Sequence, residues 1–263
     1  MEKKYKLTKE SIKFNGKTLY RIESLRDFGT IKKGDKGGFI ESEYNLSHEG
    51  DSWVYDNAKV FDNAEVCGNA KVYDDAKVFV NAEVYDDAKV FGNAEVFGNA
   101  KVYDDAKAFG NAEVYDDAKV FGNAEVFGNA KVSGNAKVSD NAWVFGNARV
   151  LDIAKVSGNA KVSDNAWVFG NAKVYDDAMV SSKAIVCGNA YIIGDNDYIV
   201  FKNWWGSGRY FTWTRSNNMW KVGCFYGTGE ELIKKANKDS EKSGREYERV
   251  VKYVESILAD ENR

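Results

Sequence analysis

From Asn57 to Gly194 the chain repeats one six-residue phrase, Asn/Asp-Ala-x-Val-x-Gly/Asp, 23 times without an insertion. Alanine fills the second place of every copy, from Ala58 to Ala190. Valine fills the fourth except at Ala108 and Ile192, and the first is Asn or Asp except at Ile153 and Lys183. Asp51-Ser-Trp-Val-Tyr-Asp56 is a further copy with Ser52 in the alanine slot, so the repeat is read as starting at residue 51. A strict short period means stacked units whose core grows linearly with length, so domain number does not follow from the 263 residues in the usual way.

Alternation within each copy places Ala and Val on one side of a short strand and the residues between them on the other. Gly, Asp and Asn at the copy boundaries tolerate left-handed backbone and bend the chain. Three walls close a triangle of 18 residues, and its narrow interior suits Ala and Val. The 24 hexads from residue 51 then make about 8 coils, a rod of roughly 38 Å. The hexad resembles that of the bacterial hexapeptide-repeat transferases, in which a small residue lies two places before an aliphatic one and follows Asn or Asp. The resemblance implies a left-handed triangular parallel β-helix; the spacing itself is silent on hand. One departure is that Phe, Tyr or Ser follows the valine here, where glycine is frequent in that family.

Those residues after the valine should point outward and stack at 18-residue spacing. Phe61, Phe79, Phe97 and Tyr115 form such a series. Like residues stacked this way stabilise a β wall, and a contiguous exposed apolar strip is also a candidate surface for self-association into a trimer or dimer. The other outward place alternates Lys and Glu, with Lys101, Lys119, Lys137, Lys155 and Lys173 in one file. Such a file can hold an anion or a nucleic-acid backbone, but the corner aspartates beside it favour local neutralisation, and no DNA partner is expected. Residues 129–148 recur at 153–172 and residues 87–102 at 117–132. Both shifts are multiples of 6 but not of 18, so the duplicated blocks land on different walls. The hexads therefore read as interchangeable structural length. Residues 51–194 contain no threonine, which excludes an ice-binding wall.

The ends differ in composition. Residues 1–50 carry 11 basic and 8 acidic groups, against 14 and 21 in residues 51–194. Residues 3–25 read as a β-hairpin turning at Asn15-Gly16, and Phe39, Ile40 and Leu46 are available to cover the first coil. Residues 195–263 read as three strands, around 198–201, 209–214 and 219–222, followed by two helices, the first opened by the capping box Thr228-Gly-Glu-Glu231. Fold class is thus mainly β: an N-terminal β cap (1–50), the β-helix (51–194) and a small C-terminal α+β module (195–263). Trp204, Trp205, Arg209, Tyr210, Trp213, Arg215 and Trp220 form the densest aromatic and basic cluster, either the core of that module or a surface that stacks a nucleotide.

Acyl transfer, which the hexapeptide resemblance implies, calls for a general base, usually histidine. The chain has one, His48, outside the hexads, and no hexad carries the loop that builds an acceptor site in those transferases. His48 is catalytic only if the chain is an acyltransferase, and a cap or surface role is the plainer reading. No metal site or cofactor is expected. Cys67, Cys187 and Cys224 have neither metal-ligand nor disulfide spacing, which points to a reducing cytoplasm. There is no apolar run for a membrane span and no apolar core for a signal peptide.

Several flanking stretches resemble a family of phage and prophage β-helix proteins, some described only as transferases: Leu19-Tyr-Arg-Ile22, Leu25-Arg-Asp27, Gly37-Gly-Phe-Ile-Glu-Ser42, Asn45-Leu-Ser-His-Glu-Gly50, Trp53-Val-Tyr-Asp-Asn-Ala58 and Trp220-Lys-Val-Gly-Cys-Phe-Tyr-Gly-Thr-Gly-Glu-Glu231. With the repeat, the resemblance spans nearly the whole chain, and it implies a fold and a mobile-element context without supplying catalytic residues. The expected role is a non-catalytic scaffold or binding protein acting through its capped ends, chiefly the C-terminal module. Its partner would be a protein or a second copy, with a nucleotide as the candidate small ligand. A counter-defence protein that sequesters a nucleotide signal or blocks a host immune protein, and an acyltransferase, are the alternatives.

Overall fold

In the computed structural model, which describes residues 2–261, the chain opens with strands β1 (Tyr5–Phe14), β2 (Lys17–Ser24) and β3 (Lys36–Ile40). Met1, Asn262 and Arg263, the outermost residues of the two end segments read from sequence, lie outside the described residues. The hexads then form two-residue strands, from β4 (Trp53–Val54), β5 (Lys59–Val60) and β6 (Glu65–Val66) to β25 (Met179–Val180), β26 (Ile185–Val186) and β27 (Tyr191–Ile192). Every third strand joins one wall. The first wall runs from β4 to β25, the second from β5 to β26 and the third from β6 to β27, all parallel and in register 18 residues apart. The fold is a parallel β-solenoid.

The hexad chemistry explains each turn. All the hexad Ala and Val side chains are buried in one continuous narrow core, where Ile192 of the last coil is the largest side chain in the Val place. The sixth place turns the corner with φ between +48° and +72° from Asp56 to Gly188, the left-handed region that Gly enters freely and Asp tolerates. A corner aspartate also accepts from the corner N–H one coil later, as Asp104 Oδ2 does from Gly122 N at 2.9 Å. The first-place asparagines link coil to coil: Asn93, Asn111, Asn129 and Asn147 each pass a side-chain amide hydrogen bond to the next, ending on Asn165, at 3.0–3.4 Å. Outside the walls, the aromatic series stack face to face. Tyr73, Phe91, Phe109, Phe127 and Phe145 lie 4.7–5.0 Å apart with ring planes within 5°.

The solenoid starts earlier than the hexads do. β3 pairs in parallel with β5, and Leu46 bridges to Val66, so residues 36–47 lay two sides of a ninth turn over the eight hexad coils. The hairpin β1–β2, turning at Asn15 and Gly16 with positive φ, adds antiparallel strands to the same sheet. It thereby covers the head of one aromatic series. Phe61 is 2% exposed beneath Leu19 and Phe39, with Phe14 edge-on at 5.6 Å. The series Phe61, Phe79, Phe97 and Tyr115 does stack, but its first rung belongs to the cap core and is withdrawn from any surface a second copy could meet.

Most inter-coil backbone bonds run from an N–H of one coil to a carbonyl of the following coil, as from Lys59 N to Ala76 O at 2.9 Å, while the parallel register of the valines returns one bond per strand pair the other way. The N-terminal rim is therefore left mainly with bare acceptors and the C-terminal rim mainly with bare donors. Donors close the first rim. The Lys4 ammonium, fully buried, donates to the carbonyls of Glu49, Gly50 and Ser52 at 2.9–3.3 Å, and Asn45 Nδ2 donates to those of Asp62 and Ala64. Acceptors close the second. Asp195 takes Met179 N, Thr212 Oγ1 takes Ile185 N, Ser216 Oγ takes Tyr191 N, and Asp197 takes Ile193 N and Gly194 N, at 2.7–3.0 Å.

The C-terminal module is an antiparallel sheet, β28 (Tyr198–Lys202), β29 (Tyr210–Thr214), β30 (Met219–Val222) and β31 (Phe225–Gly227), with α1 (Gly229–Asp239) and α2 (Glu241–Glu261) packed on it. The short β31 lies beyond the three strands read from sequence. Tyr198 and Val200 of β28 pack on the solenoid core, while Ile199 and Phe201 face the helices.

Two outcomes follow from this construction. Deleting residues 93–110, one whole coil, should leave a folded rod shorter by about 5 Å, read by small-angle scattering, whereas deleting seven residues turns Ala and Val outward and abolishes cooperative unfolding. Lys4→Met strips the N-terminal rim of its donor and should cost about 1–3 kcal/mol in thermal unfolding. Burial pushes the Lys4 ammonium down from 10.5 to about 8. Between those values the unfolded chain still holds a proton that the folded chain has released, so wild type should gain stability over Lys4→Met as pH rises through that window.

Candidate functional site

The aromatic cluster read from sequence divides in two. Trp213, Trp220 and Trp205 are 0%, 1% and 7% exposed and pack with Phe211, Leu232 and Tyr247. A sheet and two helices of this size need large apolar side chains to close the space between them, and these three tryptophans supply them. They are core residues, which favours the core over the stacking-surface reading, although Trp220 borders a hollow of about 260 Å³ with Thr228, Val251 and Val254. Arg215 is half-buried on the solenoid side, where its N–H donates to Asp197 O. Trp204 is 72% exposed, edge-on to Trp205, and lines neither of the hollows at Lys183.

Arg209 and Tyr210 go elsewhere. At the start of β29 they reach back over the last coils and, with Asn165, Trp167, Lys183 and Ile185, line a groove of about 320 Å³. A second hollow of about 410 Å³ shares Asn165, Lys183 and Tyr210 with it and runs along the corner between the first and second walls. Trp167 and Ile185 are neighbours on the second wall, where the in-register partner on the other side of Trp167 is Arg149. The Arg149 guanidinium lies 4.9 Å from the Trp167 ring centre. The Lys183 and Lys202 ammonium groups lie 4.7 and 5.9 Å from that of Tyr210. Each ring thus holds a cation at the rim of the groove, an arrangement favoured by the ring quadrupole.

The remaining candidates are placed in structural roles. His48 sits in the N-terminal cap, its Nδ1 accepting from Lys4 N at 3.2 Å and its ring stacked on Tyr5 at 4.4 Å; the groove lies at the other end of the solenoid. Among the described residues no group of three or more His, Cys, Asp or Glu side chains is arranged to hold a metal. All three cysteines are free thiols, and burial pushes Cys187 up to about 11, which leaves it protonated at neutral pH and poorly nucleophilic. In the lysine file, Lys101 pairs with Glu83 at 2.8 Å. Lys119, Lys137, Lys155 and Lys173 continue in register below it, exposed or half-exposed.

No protein-family model and no curated protein matches the chain. The groove itself has to supply the argument. Of its six lining residues, sequence reading singled out Arg209 and Tyr210 as binding candidates and missed Asn165, Trp167, Lys183 and Ile185. A signal was present. Lys183 stands where nearly every other copy has Asn or Asp, and Trp167 and Ile185 occupy a place that is Lys or Glu in most copies. The 24-residue duplication carries Trp143 to the first wall and Trp167 to the second, so only the later copy meets the module.

The division of the cluster is measurable. Trp213→Ala should destabilise the module by about 3–5 kcal/mol, seen as an earlier thermal transition, while Trp204→Ala should leave the transition where it is.

Proposed function

We propose that this chain is a non-catalytic binding protein, a rod that presents a cationic, aromatic groove where its C-terminal module meets the last coils. The observation that carries the reading is the convergence of Trp167, Lys183 and Ile185, three departures from the hexad, on Arg209 and Tyr210. Core packing does not require any of them, since the wall positions they occupy face outward and most copies carry Lys or Glu, or Asn or Asp, in those places. Solvent-facing exceptions in an otherwise interchangeable repeat are where selection for contact leaves a trace.

The interior of the rod then acts as length and stiffness, and the capped N-terminal rim as closure. The flanking motifs that resemble phage and prophage β-helix proteins support a phage-type setting, and three unpaired thiols support a reducing compartment. No helix among the described residues is long and apolar enough to cross a membrane. His48, engaged through Nδ1 and stacked on Tyr5, offers little support to acyl transfer.

Affinity capture with the full-length protein, followed by mass spectrometry of both proteins and small molecules, tests the reading. Wild type and Trp204→Ala should retain the same specific companions, and Lys183→Asn combined with Arg209→Ala should lose them. Equal capture by all three, or turnover of an acyl-CoA that His48→Ala abolishes, would overturn it.

A further inference from the structure

The donors that line the groove name the chemistry of its occupant. Lys183 and Arg209 donate and accept nothing, and the Lys202 and Arg149 cations stand at its rim. Asn165 adds a donor for a reason rooted in the repeat. Its side-chain oxygen accepts from Asn147 at 3.4 Å, but the residue 18 places on is Lys183, so the amide ladder ends there and the Asn165 NH₂ has no successor to bond. The one carboxylate on the lining, Asp164, is engaged with Ser182 N at 2.9 Å. Such a groove favours a ligand rich in acceptor oxygens and bearing negative charge.

A second requirement comes from its apolar side. Trp167, 39% exposed, lies beside Ile185 on the wall, and Tyr210 faces the same space. A bare inorganic anion leaves those surfaces unused, while a flat ring stacks on them. The volumes of about 320 and 410 Å³, joined through three shared residues, are of the size that holds one small organic ligand, roughly 300–1,000 Å³. We infer that the groove binds a nucleoside phosphate, the base against Trp167, Ile185 and Tyr210 and the phosphate among Lys183, Arg209 and the Asn165 amide. This rests on the binding role proposed above and specifies its ligand.

Isothermal titration of the full-length protein with ATP, UMP, the hexanucleotide dT6 and inorganic phosphate tests the assignment. At least one of the nucleotide probes should bind at least about tenfold more tightly than inorganic phosphate, and binding should weaken as salt is raised. Lys183→Asn restores the hexad and the asparagine ladder, so it should keep the wild-type melting temperature while weakening nucleotide binding about tenfold or more. Trp167→Ala should do the same, and Trp204→Ala should change nothing. Tighter binding of dT6 than of either mononucleotide identifies a single strand as the source of the nucleoside phosphate, and the reverse order identifies a free nucleotide. No binding of any nucleotide, or binding that both groove variants retain, overturns the inference. If nucleotides fail while the groove variants still lose their captured companions, the ligand class falls and the binding role stands.

Discussion

The whole molecule depends on one repeated exchange of backbone hydrogen bonds between coils, most of them from an N–H to a carbonyl of the coil below. It sets the direction of the rod, because the groups left bare are mostly donors at one rim and mostly acceptors at the other. The two ends are accordingly closed by opposite chemistry: an ammonium and an amide NH₂ at the N-terminal rim, carboxylates and hydroxyls at the C-terminal rim. Buried backbone groups left unpaired would cost more than any surface contact repays. The caps are therefore as much a part of the fold as the hexads, although they share no sequence with them.

The same in-register exchange forces like to stack on like along every outer column. Neutral columns benefit, as the aromatic and asparagine series do. Charged columns benefit only where the sign alternates, and they do so at Lys77 with Glu95, Lys107 with Glu125 and Lys131 with Glu113, each at 2.7–2.8 Å. These are half-exposed pairs and individually worth little. Their consequence is positional: a wall that neutralises itself coil by coil offers a passing ligand no net field. No Glu occupies that outward place after Glu125, and around the Trp167 groove cations face rings and open space instead of carboxylates.

How much of this was legible in the sequence follows from where the constraint acts. The parallel solenoid, its 18-residue coil and the two-sided burial could be read directly, since one period dictates them and Ala58 to Ala190 never break it. The hairpin at Asn15-Gly16 and the helix opened by Thr228 were legible from turn and cap chemistry. Two features were not. The ninth turn is built by residues 36–47, where Gly37 and Gly38 approach Val54 and Ala58 so closely that a side chain would collide with their carbonyls; no periodicity announces it. The split of the tryptophan cluster depends on which way β29 faces. Trp213 and Phe211 point to the helices, while Tyr210 extends over the solenoid.

The groove shows why a regular repeat hides its site from a reading that looks for enrichment. Density of aromatic and basic residues pointed to 204–220, and most of those aromatics were needed for the core of a small module. Departure from consensus is the better guide in a solenoid, because outward hexad positions carry almost no packing constraint and their residues are free to drift toward the local average. Lys183 is the clearest case. It breaks an asparagine ladder, forfeits a coil-to-coil hydrogen bond and removes the acceptor that Asn165 would otherwise use. On the binding role proposed above, a residue that weakens the rod at the point where it lines a cavity answers to what enters the cavity rather than to the rod.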